Sequence, residues 1–80
     1  MLEASNVAHQ LIVAVRPIVA AVRAHDRTLA DQLRRAATSV ALNTAEGSER
    51  RGGDRVHAFR VARGEAAETT AAIGIAVAWG

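Results

Sequence analysis

Eighty residues leave room for a single domain, and the absence of Cys excludes a disulfide framework and thiolate zinc sites. The apolar residues are mostly small, nineteen Ala and nine Val against five Leu, four Ile, one Phe and one Trp, so each buried side chain withdraws little area from water and the core is thin. All ten basic residues are Arg, which lifts the pI to about 11 although the net charge is only +2, so the balance is far less basic than the pI suggests. A small domain without disulfides or metals relies on neighbouring copies, and a homo-oligomer is the first expectation.

Apolar residues at 7, 8, 11, 12, 15, 18, 19 and 22 recur at helical spacing and predict a first helix over residues 4–24, which Pro17 should kink or divide. "AHDRT" is the first connection. Thr28 followed by Asp31 has capping-box spacing, which predicts a second helix over 28–47. Its seam reads Leu29, Leu33, Ala36, Val40, Asn43 and Gly47, alternating four and three as an antiparallel bundle requires. "GSERRGG" is the second connection, with Asp54 as the expected N-cap of a third helix over 54–78. Phe59, Ala62, Ala66, Ile73 and Val77 form one stripe of that helix, while Val61, Ala72 and Ile75 lie well round from it. A helix apolar most of the way round is covered on several sides. A ridge of Gly64, Ala67, Ala71, Gly74 and Ala78 suits close helix approach. The expected fold class is therefore all-α, an antiparallel bundle of the four-helix type with three helices in 1–80 and the fourth missing or supplied by neighbouring chains.

Catalytic patterns are lacking. His9, His25 and His57 have no Glu three residues before them and no His four residues away, which removes the Glu-x-x-His pairs of a di-iron bundle, and there is no phosphate loop with Lys. No enzyme activity, cofactor or metal is expected. The N-terminus "MLEASNVAHQ" lacks the basic-then-apolar order of a secretory signal. "LIVAVRPIVAAV" is short for a membrane span and is interrupted by Arg16 and Pro17, so a cytoplasmic protein without a membrane partner is expected.

"QLRRAATSVALNTAEGSER" from Gln32 to Arg50, with "FRVARGEAAE" from Phe59 to Glu68, resembles the four-helix-bundle family named for proteins encoded in intervening sequences of 23S ribosomal RNA. The resemblance rests on Gln32, Leu33, Arg34, Arg35, Ala36, Ala37, Ser39, Asn43, Ala45, Glu46, Gly47 and Arg50, then Phe59, Ala62, Arg63, Gly64 and Glu68. Glu65 stands where the family usually has Ser, and Thr44 where it has an apolar residue. The resemblance implies a bacterial four-helix bundle assembling as a pentameric ring, without catalytic activity. One branch, the accessory variability determinants of diversity-generating retroelements, implies RNA or DNA and a reverse transcriptase or other nucleic-acid enzyme as partners.

Two groups of polar residues remain. Asn43 on the seam and Glu46 three residues later are placed to meet Arg63, with Glu68 as a second acceptor, a polar cluster that would fix helix register. If buried, truncating Glu46 or Arg63 would cost about 3–5 kcal/mol. Arg34 and Arg35 leave the seam for the side of the bundle, and Arg50, Arg51 and Arg55 crowd the second connection with Glu49 and Asp54 interleaved. These five arginines are either a solvated surface or a phosphate-contacting one that reads no base sequence, since aromatic stacking groups are scarce. Function divides accordingly: an oligomeric adaptor that binds nucleic acid, or a structural oligomer that does not.

Overall fold

The computed structural model describes residues 3–80 and consists of three helices joined by two tight connections: α1 (Ala4–Arg23), α2 (Arg27–Glu49) and α3 (Gly52–Trp79). The connections are short enough to force neighbours antiparallel, so the start of α2 lies beside the ends of α1 and α3. The 42 Å long dimension is that of α3, whose 28 residues rise about 1.5 Å each.

The ends of the helices differ from expectation in ways that local chemistry explains. Asp26, not Thr28, caps α2: its extended backbone (φ −152°, ψ 100°) turns Oδ1 onto the Leu29 N–H, accepting at 2.9 Å. Asp31, expected to complete a box with Thr28, instead accepts from Arg23 Nη2 at 2.9 Å and ties the end of α1 to the first turns of α2. Asp26→Ala should therefore lower stability by about 1 kcal/mol, read from the urea midpoint, whereas Thr28→Ala should leave it within about 0.5 kcal/mol. Asp54 is likewise not a cap; it sits in the first turn of α3, where its charge favours the N-terminal end of the helix dipole. Gly52, at φ +59°, makes the entry into α3 that a side chain would strain. Pro17 does not divide α1, which continues through it. It lies on the exposed side with Val13, whose carbonyl loses its intrahelical donor but faces water.

The helix in the middle is α2, not α3. Both α1 and α3 pack on α2 and hardly touch one another. The buried face of α2 comprises Leu29, Ala30, Leu33, Ala36, Ala37, Ala41 and Gly47, with Val40 and Asn43 half-buried at its margin. Val15, Leu29, Leu33, Ala37 and Ala72 form the core cluster, and Leu33 is the largest side chain fully removed from solvent. Ala dominates the rest, as the composition foretold.

A large apolar surface is left over. Ile18, Leu42, Val56, Phe59, Ile75, Val77 and Trp79 are among the large apolar side chains that remain exposed, and Trp79 is 83% accessible. The chain exposes 5820 Å², where a folded monomer of 8.4 kDa exposes about 4,600 Å². Between α1 and α3, where a bundle of four would carry its last helix, lies an apolar groove of about 650 Å³ floored by Leu29. By length and composition alone α1 is apolar enough to cross a membrane, with mean hydropathy 1.3, contrary to the expectation that its apolar run is too short. Only Ala8 and Val15 of α1 are buried in the bundle.

Candidate nucleic-acid interface

The five candidate arginines do not form one patch. Arg50 and Arg51 are the connection between α2 and α3, and Arg55 follows one turn into α3; all three side chains are exposed. The same corner carries a shallow depression of about 320 Å³ lined by Glu46, Glu49, Arg50, Arg51 and Asp54. Three carboxylates thus share the corner with three guanidiniums, yet none of them forms an ion pair with another. Among the described residues the only ion pair is Arg23–Asp31. Of ten arginines, nine therefore keep their guanidinium free of a carboxylate partner.

Arg55 is held by something other than charge. Its guanidinium carbon stands 5.4 Å from the centroid of the Phe59 ring, a cation–π contact. One edge of that ring rests against Gly47 of α2: a Cβ built there would lie 2.7 Å from Phe59 Cε1. The chain of contact runs from a glycine in α2, through the ring, to a charged group presented to solvent. Gly47 therefore packs α2 against α3 and does not end α2, which continues to Glu49.

Arg34 and Arg35 project from the middle of α2 and are both exposed. Arg34 borders a groove between α1 and α2, and Arg16 of α1 borders the same groove. Arg16 was not among the residues the sequence singled out. Locally it is only an interruption of an apolar run, because its relation to Arg34 exists only once α1 folds back along α2.

The expected polar cluster is not assembled within the chain. Asn43 turns onto its own preceding turn, donating from Nδ2 to the Ser39 carbonyl at 2.9 Å and to Ser39 Oγ at 3.2 Å. Glu46, Arg63 and Glu68 are all exposed and unpaired with one another. The reason is register. With Phe59 seated on Gly47, the next inward position of α3 is Ala62, which is buried, and Arg63 one residue later turns outward. The several-kcal/mol penalty of breaking a buried pair thus has no basis at Glu46 or Arg63 in the single chain.

Comparison with known proteins adds one finding. A family model described as 23S rRNA-intervening sequence protein matches residues 1–80. Comparisons with the curated proteins and with the solved structures returned no match.

Proposed function

The chain belongs to the 23S rRNA-intervening sequence protein family, and from that premise we propose that it is a non-enzymatic, oligomeric helical-bundle adaptor that holds RNA or DNA through phosphate contacts. A nucleic-acid enzyme such as a reverse transcriptase is the partner class such an adaptor would serve. The observation that carries this reading is the set of nine arginines without an internal carboxylate partner. A guanidinium offers a planar fork of donors that fits a phosphate bidentately. Contact of this kind reads no base sequence, and since the single Phe is already engaged by Arg55 and Gly47, Trp79 is the one aromatic ring left open for base stacking.

The second reading, an interaction oligomer with no nucleic-acid role, draws on Glu46, Glu49 and Asp54, which offset the charge of Arg50, Arg51 and Arg55 at the same corner. Salt dependence separates the two. Binding of a generic single-stranded RNA should weaken steeply as salt rises, and Arg50→Gln/Arg51→Gln/Arg55→Gln should reduce the slope of log K against log salt by about 2, at roughly 0.7 per lost phosphate contact. An unchanged slope in the triple variant, or no retention at low salt, favours the second reading.

A further inference from the structure

Gly47 shows what a helical glycine achieves in this fold, since a Cβ there would collide with Phe59. Gly64 and Gly74 on α3 have no such reason: a Cβ at either would meet nothing within 4 Å. Each weakens the helix, Gly being the poorest helix former after Pro, with no compensating contact inside the chain. With Ala67, Ala71 and Ala78 they lie on the exposed side of α3, opposite the buried Ala58, Ala62, Thr69 and Ala72. Between residues 64 and 78 that outer face carries a single charge, Glu68. A face meant only for water would be studded with charges; this one is mostly small, with the half-exposed Ile75 as a large apolar side chain beside Glu68.

The complementary surface is on the same chain. The groove between α1 and α2 has a volume of about 370 Å³, a floor that includes the buried Val15 and Ala37, and exposed Ile12 and Leu42 at its sides. Its charged residues are Arg16 and Arg34, one from each helix, and no carboxylate lines it. Neither arginine has an ion-pair partner within the chain. Size agrees as well as charge. The surface of the whole chain in excess of a monomer's expectation, the α1/α3 groove included, is about 1,200 Å², which leaves room for the ~800 Å² that each partner buries in a stable interface of standard size.

We infer that the outer face of α3 in one copy docks in the α1/α2 groove of the next, with Glu68 received between Arg16 and Arg34. This rests on the oligomeric reading above and specifies its interface. The two surfaces differ, so the contact is heterologous and propagates head to tail, closing into a ring or extending as a filament according to the rotation per copy. The glycines let the incoming backbone approach the groove closely, and Arg34 is thereby withdrawn from the nucleic-acid surface, which retains Arg35, Arg50, Arg51 and Arg55.

The test is mass in solution by light scattering across a dilution series, with far-UV circular dichroism and melting to confirm that each variant is folded. The wild type should assemble. Gly64→Leu/Ala71→Leu should remain helical, since those positions face open solvent in the chain, but should lose assembly. Glu68→Arg should weaken assembly on the order of a hundredfold, as like charges meet in the groove, and Arg16→Glu/Arg34→Glu in the same chain should restore it. Assembly of the double Leu variant at wild-type affinity, or failure of the charge swap to restore the Glu68→Arg variant, overturns this interface while leaving self-assembly standing. A wild type that stays monomeric at every concentration overturns the oligomeric reading itself and this interface with it.

Discussion

Leu33→Ala is expected to cost about 3–5 kcal/mol, enough to leave the isolated chain largely unfolded. Leu33 is 0% accessible and belongs to the same core cluster as Val15, Leu29, Ala37 and Ala72. Its removal opens a cavity whose lining is partly Ala, too short to collapse into the space. An 80-residue domain has a stability of roughly 4–12 kcal/mol, and a core this poor in large side chains belongs at the lower end. The measurement is urea denaturation at a concentration low enough to limit support from assembly, because association stabilises the folded chain by mass action. Leu42→Ala is the control, since Leu42 is 55% accessible and its truncation should be nearly neutral in the monomer. A loss below about 1 kcal/mol at Leu33, with an unchanged urea slope, would mean that the centre of the bundle is packed differently.

Substitution at Gly47 should produce the second large effect. Gly47→Leu places a branched side chain where even a Cβ comes within 2.7 Å of Phe59, and a loss of about 3 kcal/mol or more is expected. Gly47→Ala is gentler. It gains about 1 kcal/mol of helix propensity and loses about 1–3 kcal/mol to overpacking, because Phe59, 37% accessible, can yield only by moving away from α2. Such a shift also moves Arg55, which stands over the ring, so Gly47→Ala should alter RNA retention more than its stability cost suggests. The check is a double-mutant cycle. Phe59→Ala removes the obstruction, and Gly47→Ala/Phe59→Ala should be less destabilised than the sum of the single changes by about 1–2 kcal/mol. Strict additivity would show that glycine and ring do not oppose one another.

Periodicity carries the local part of this structure. The three helices, the seam residues Leu29, Leu33, Ala36 and Gly47, and the absence of strands among the described residues all follow from apolar spacing at 3.6 residues per turn. The family followed from the density of matching residues between Gln32 and Glu68. The caps were less legible, because Thr28 and Asp26 are both good capping residues and only the path of the chain out of α1 decides which side chain reaches the Leu29 N–H.

By itself, then, the sequence determined the class of the fold, its helix count, its dependence on small side chains and its abundance of arginine, since each of these is a property of residue type and spacing. Tertiary structure alone decided which groups face each other. It made α2 the enclosed helix, because α1 and α3 pack on it and not on one another. It set the register that seats Phe59 on Gly47, turning Arg63 away from Glu46 and leaving Asn43 bonded within its own helix. It also placed Arg16 across a groove from Arg34. Contacts between residues far apart in the chain depend on rotation and offset between helices, and a displacement of one residue along a helix turns a side chain by about 100°, enough to exchange a partner for water.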